Sequence, residues 1–212
     1  MEQGLPRNAC VCYIPMLEGQ SDMVNDWLQG VPERYGILPL MLPPVDWNDD
    51  LTPWPAGPIF KKGKSFGGKA AEYLERFEGE IIPSMEAGLQ VGQRWMLGIS
   101  LSGLFAVWAA AKCDLFTGVA AISGSFWYPG FTEWLKEQQV AVRQVYLSLG
   151  DKETETKNIH LKDIAVQTAR VVEILRTKGV DTQFEWTEGT HFGPVIPRLE
   201  KCFDAIARTV RR

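Results

Sequence analysis

Gly98-Ile99-Ser100-Leu101-Ser102-Gly103 separates an apolar, strand-like run, Gln93-Arg94-Trp95-Met96-Leu97, from a helix-forming run, Leu104-Phe105-Ala106-Val107-Trp108-Ala109-Ala110-Ala111. A strand that turns at once into a helix is a building unit of parallel sheets, because parallel neighbours need a crossover and a helix supplies it. The turn has to be sharp, and small residues at its flanks let it close. A serine at its apex carries a bare, raised hydroxyl, which is what a weak nucleophile needs if a neighbouring base is to activate it. The stretch departs from Gly-x-Ser-x-Gly in one place: Ser102 stands where the second glycine is expected, and glycine comes one residue later. Serine is small enough for the turn to survive. Since Gly-x-Ser-x-small also arises by chance in a chain with 20 glycines, Ser100 gains meaning only from an acid and a histidine placed later in the chain.

Outward from this stretch, strand-like and helix-like segments alternate. Residues 9–16 read as a strand, Ser21 as the cap of a short helix, and residues 35–42 as a second buried strand ended by Pro43-Pro44. Residues 45–68 are irregular and hold Trp47 and Trp54; a loop of this length in a compact chain is expected to border a functional site. Ala70, Tyr73, Leu74, Phe77 and Ile81 recur at helical spacing, and Pro83 is expected to bend or end that helix. Further strands are expected over 116–123, 144–149 and 182–186, with helices over 159–178 and 198–209. The pattern predicts an α/β fold, a mostly parallel sheet with helices on both faces in a three-layer sandwich, as a single domain over residues 1–212.

Functional loops on such a sheet gather at the carboxyl ends of the strands. Three strand exits there carry Ser100, the turn Gly150-Asp151-Lys152-Glu153, and His191 in Glu188-Gly189-Thr190-His191-Phe192-Gly193-Pro194. Nucleophile, acid and histidine succeed one another in the chain order of the α/β-hydrolases. With two histidines in the chain the choice of base is narrow. His160 begins a charged helix, which suits a surface or capping role, and His191 comes after a strand. Asp151 and Glu153 both stand close enough to a strand end to accept the imidazole N–H, and Glu155 lies farther into the turn. Acidic residues before a helix also commonly cap it, so spacing alone leaves the acid open.

Four stretches together resemble the esterase family of α/β-hydrolases that includes esterase D-like enzymes and siderophore esterases. They are Leu97-Gly98-Ile99-Ser100-Leu101-Ser102-Gly103-Leu104; Ile122-Ser123-Gly124-Ser125-Phe126-Trp127-Tyr128; Tyr146-Leu147-Ser148-Leu149-Gly150-Asp151-Lys152-Glu153 with Thr156-Lys157-Asn158; and Glu188-Gly189-Thr190-His191. The resemblance implies the α/β-hydrolase fold and a Ser-His-acid triad cleaving a carboxylic ester. It implies the acid three residues after the glycine of its turn, hence Glu153, with Asp151 as the alternative. It is weaker on the N-terminal side, where relatives often carry extra strands and a glycine-rich or His-Gly turn. Here the corresponding stretch is Tyr13-Ile14-Pro15-Met16-Leu17-Glu18-Gly19. An oxyanion hole needs two backbone N–H donors: one is expected from Leu101 and the other from Met16 or Leu17.

Composition narrows the rest. A formal net charge of −4 and a pI near 5.3 give no support for nucleic acid or an anionic membrane as partner. No stretch reads as a signal peptide or membrane span, and the four cysteines (Cys10, Cys12, Cys113, Cys202) are scattered, so reduced thiols in a cytoplasmic protein are expected. No cluster has metal-ligand spacing, and neither metal nor cofactor is expected. Gly63 to Ala70 is one residue short of a phosphate-binding loop and lacks its final hydroxyl residue. Lys61, Lys62, Lys64 and Lys69 read as a solvated loop that could meet an anionic substrate group. Trp47, Trp54, Trp127 and Tyr128 either line an acyl pocket or pack the sheet ends. Little room for a lid lies between elbow and acid, which suits small or extended esters as partners. Transfer of the acyl group to another acceptor, thioester cleavage, and a hydrolase-fold binding protein without turnover are the competing readings.

Overall fold

The computed structural model describes residues 7–15, 22–59 and 62–211, the side chains at 7, 159 and 160 excepted. Its strands are β1 (Arg7–Ile14), β2 (Ile37–Met41), β3 (Gln90–Ile99), β4 (Gly118–Ile122), β5 (Gln144–Gly150) and β6 (Asp181–Thr187). They form one six-stranded sheet in the order β2-β1-β3-β4-β5-β6, with every neighbouring pair parallel. The chain runs from β1 outward to β2, then returns past β1 to β3 and proceeds to β6. The order therefore reverses between β1 and β3, and ligand crevices in open parallel sheets form beyond the carboxyl ends at such a reversal. Ser100 comes directly after the last residue of β3, at that point.

The helices are α1 (Asp22–Gln29), α2 (Val31–Tyr35), α3 (Ala70–Arg76), α4 (Ile82–Met85), α5 (Leu101–Ala110), α6 (Phe131–Glu137), α7 (Ile159–Lys162), α8 (Ile164–Thr177) and α9 (Val195–Val210). Successive strand residues point to opposite faces, which sorts the apolar side chains into two cores. On one face Val11, Tyr13, Met96, Val119, Ala121 and Leu147 pack with α3, α5 and α8. On the other, Cys10, Cys12, Trp95, Leu97, Ala120 and Ile122 pack with α1, α2 and α9. This is the expected three-layer α/β-hydrolase arrangement, with the central strands buried on both sides. Every residue of α5 is buried, consistent with a helix that is apolar all round.

Several boundaries differ from the sequence reading. β2 begins at Ile37 because Val31–Tyr35 forms a helical turn with Pro32 in its first turn and left-handed Gly36 at its end. Pro83 does not end its helix. Between α3 and α4, residues Phe77–Ile81 form a π-helical turn, in which the Ile82 N–H reaches back to the Phe77 carbonyl. This re-registers the ladder, so Pro83 enters at an effective first helical turn where a missing N–H costs little. The helix expected over 159–178 is divided at Asp163. α6 is too short for periodicity to reveal; Phe131, Thr132 and Leu135 are its buried residues.

The 45–68 loop is tied down by Thr52, whose hydroxyl donates to the Asn48 carbonyl at 2.6 Å and accepts the Gly68 N–H at 3.1 Å. The N–H groups of Gly67, Lys69 and Ala70 bond to Asn48, Asp49 and Thr52 carbonyls. These donors are consumed within the fold, so the resemblance of Gly63–Ala70 to a phosphate cradle ends at its sequence.

Candidate active site

β3 ends at Ile99 and α5 begins at Leu101, leaving Ser100 alone to make the turn. Its φ of 60° and ψ of −121° lie where a non-glycine residue stores about 1–3 kcal/mol of strain. The surroundings hold it there. Ser100 N–H donates to the Ile122 carbonyl at 3.1 Å, and the Ser100 carbonyl accepts the Ser125 N–H at 3.0 Å. A Cβ on Gly98 would lie 2.0 Å from the Ser102 carbonyl oxygen, so glycine is required at that position. Ser102 is more than a tolerated variant: its buried hydroxyl accepts the Ile99 N–H at 2.7 Å and donates to the Ile99 carbonyl at 2.8 Å. It thereby satisfies backbone groups that the end of β3 would otherwise leave open.

Glu153, three residues past the glycine that ends β5, is buried. Its Oε1 accepts the Gly150 N–H at 2.8 Å and the Ser123 hydroxyl at 2.5 Å. Its Oε2 lies 2.9 Å from Nδ1 of His191, and Nε2 of that ring lies 3.1 Å from Ser100 Oγ. Burial alone would raise the Glu153 carboxyl, but hydrogen bonds from His191, Ser123 and the Gly150 N–H outweigh it and hold the carboxyl below its ordinary value. The structure thus brings Ser100, His191 and Glu153 into one hydrogen-bonded chain. Asp151 does another job: its Oδ1 accepts the Gly189 N–H at 2.8 Å, tying down the loop before His191. Glu155 is exposed. The His160 side chain, Lys61, and both Met16 and Leu17 lie outside the described residues. The Leu101 N–H belongs to the first residue of α5, where an N–H has no partner within its own helix.

A cavity of about 360 Å³ opens beside Ser100, Ser125 and His191. Trp47, Phe66, Trp127, Leu161 and Phe192 give it largely apolar walls, and Lys64 stands at its edge. The 45–68 loop therefore borders the site as its length suggested. Of the expected aromatic residues, Trp47 and Trp127 reach the cavity. Trp54 and Tyr128 pack instead, joined by a hydrogen bond from the Tyr128 hydroxyl to the Trp54 carbonyl at 2.5 Å. Lys69 is engaged with Asp49 at 2.9 Å. A larger groove of about 680 Å³ beside Thr132 and Arg170 is open and lies away from these groups.

Sequence reasoning gave no role to Ser125, whose hydroxyl is 3.3 Å from that of Ser100, or to Ser123 and Arg198. Ser123 and Ser125 come directly after a buried strand, and their position at its carboxyl end was the available signal. Among the described residues, no group of three or more His, Cys, Asp or Glu could hold a metal ion, and no helix is long and apolar enough to cross a membrane.

Comparison with known proteins bears on the fold and the family. The uncharacterized protein YbbA of Bacillus subtilis (strain 168) is 29% identical over 158 residues, which is 71% of this chain and 62% of that protein. The chain therefore spans less than two thirds of that relative. Among solved structures, the siderophore hydrolase EstA from Aspergillus nidulans superposes with a TM-score of 0.67 at 17% identity, covering 96% of this chain and 84% of that one. The enterochelin esterase from Shigella flexneri gives 0.70 at 17% identity, covering 95% of this chain and 52% of that one. These likenesses establish a shared fold. The family model described as "Putative esterase" matches residues 26–193, and the chain belongs to that esterase family.

Proposed function

We propose that this protein is a serine hydrolase that cleaves a carboxylic ester through an acyl-enzyme intermediate. The observation that carries the reading is the hydrogen-bonded chain Ser100–His191–Glu153 at the mouth of an apolar cavity. In this reading His191 Nε2 takes the proton from Ser100 Oγ as the oxygen attacks the acyl carbon. The negative charge that develops on the carbonyl oxygen is met by the Leu101 N–H and by a second backbone donor from Met16 or Leu17. His191 then passes its proton to the leaving alcohol. Water, deprotonated by the same imidazole, attacks the acyl-enzyme and releases the acid and free Ser100. Glu153 fixes the imidazole tautomer and stabilises its charged form throughout.

The cavity lies at the small end of ligand pockets, which favours a compact ester with an apolar or aromatic acyl group. Structures sharing the fold include proteins described as a siderophore hydrolase and a ferulic acid esterase, which supports an ester as the substrate class. A reducing, cytoplasmic setting is supported by four cysteines that are all free, Cys10 and Cys12 among them on one strand.

A series of p-nitrophenyl esters from acetate to octanoate tests the reading, with Ser100→Ala alongside. Saturable hydrolysis is expected, falling at the longest acyl chains and by at least about 10³-fold in the variant. Rates at the buffer background from folded wild-type protein across the series would contradict ester hydrolysis.

A further inference from the structure

We propose that Arg198, acting through Ser123, is a positioning residue that locks the acid and the histidine loop into one unit; the inference rests on the proposed roles of Ser100, Glu153 and His191. Arg198 lies in the first turns of α9, on the face that carries buried Leu199, Cys202 and Phe203, and is 3% exposed. A guanidinium among apolar neighbours is costly unless it is paired, so packing alone does not account for it.

Its partners do. Nη1 donates to Ser123 Oγ at 3.2 Å and lies 3.7 Å from Glu153 Oε1. Nη2 donates to the Glu188 carbonyl at 3.2 Å and the Thr190 carbonyl at 2.5 Å, on the loop that presents His191. The surrounding chain leaves space for this group. A Cβ on Gly150 would lie 3.0 Å from Nη2, and one on Gly193 would lie 2.9 Å from it.

Donor and acceptor counting fixes the direction of the relay. Arginine has only donors, so Ser123 Oγ must accept from it. The single hydroxyl proton of Ser123 is then directed at Glu153 Oε1. With Oε1 engaged by Ser123 and the Gly150 N–H, Oε2 is the oxygen turned to His191. This gives a reason for the backbone strain at Ser123, whose φ of 52° is unusual for a non-glycine residue. One guanidinium fork therefore spans the acid's hydroxyl partner and two carbonyls of the loop that leads into the histidine. Lysine, a compact point donor, could not reach all of them together.

The test compares wild type with Arg198→Ala, Arg198→Lys and Ser123→Ala, reading p-nitrophenyl acetate kinetics and the rate of fluorophosphonate labelling at matched folded fraction. Arg198→Ala is expected to lose about 10–100-fold in kcat with KM within about threefold, as is usual when an orienting partner is removed. Guanidinium ion at tens of millimolar should restore part of that rate, and Arg198→Lys should remain impaired. Ser123→Ala should lower kcat in the same sense, and it decides the matter if Arg198→Ala does not fold. Full kcat in folded Arg198→Ala, a loss confined to KM, or a loss that guanidinium does not relieve would overturn the proposal. Full kcat in Ser123→Ala would do the same. Wild-type protein that neither hydrolyses nor labels would instead refute the underlying serine-hydrolase reading.

Discussion

Glu153 Oε2 lies 2.9 Å from His191 Nδ1, while Oε1 of the same carboxylate is held by the Gly150 N–H at 2.8 Å. The two oxygens thus divide an orienting contact from an anchoring one. Asp151, two residues earlier, is turned instead to the Gly189 N–H. Glu153→Gln is therefore expected to lower kcat by about 10²–10⁴-fold, because an amide can support the wrong imidazole tautomer. Asp151→Asn should stay within a few-fold of wild type. Steady-state kinetics on both variants distinguish the two carboxylates, and the opposite ranking would assign the acid to Asp151.

The same carboxylate links folding to pH. Glu153 is held below its ordinary value of 4.5, so below that pH the unfolded chain takes up its proton before the native one does. Its contribution to stability is complete above the unfolded value and is lost as pH falls through the native one. Urea denaturation of wild type and Glu153→Gln should show the wild-type advantage shrinking from about pH 6 to pH 3. An advantage that grows on acidification would have the wrong sign.

Two small residues carry the sharp turn at Ser100 by different means. Gly98 allows the Ser102 carbonyl to approach where a Cβ would lie only 2.0 Å away, so Gly98→Ala should disrupt the turn and remove both activity and cooperative unfolding. Ser102→Gly removes two hydrogen bonds to Ile99 and should cost about 1–3 kcal/mol of stability while leaving the fold intact. Thermal denaturation with circular dichroism checks both, and a neutral Ser102→Gly would show that its hydroxyl is dispensable.

The thiols should be nearly silent in the native protein. Burial pushes Cys10 up to about 12 and Cys113 up to about 11, and raises Cys12 and Cys202 as well. At about pH 8 the disulfide reagent DTNB should react slowly, first with the half-buried Cys113, and with all four thiols once guanidinium unfolds the chain. A rapid native reaction of more than one thiol would contradict the burial of β1 and α9.

Legibility in the sequence depended on range and length. Ser100, the acid turn and His191 were legible because each sits just past an apolar strand, where small and polar residues stand out locally. The choice of Glu153 over Asp151 needed family resemblance, since both stand on one turn and their partners, His191 for Glu153 and Gly189 for Asp151, lie far along the chain. Arg198 was illegible as a site residue: one charge in an amphipathic helix looks solvated until β4 and β5 are placed against it. Trp54 and Tyr128 were ambiguous for the same reason, being aromatic residues near the strand ends whose partners are distant. α2 and α6 escaped because five and seven residues are too few to establish a period.

Ser100 as an activated nucleophile is the centre of the proposed chemistry, and covalent labelling tests it most directly. A fluorophosphonate probe, with intact mass and peptide mapping of wild type, Ser100→Ala and His191→Ala, should show one adduct on Ser100 in wild type and none in either variant. Folded wild-type protein that takes up no probe, or an adduct at another residue that persists in Ser100→Ala, would contradict the account.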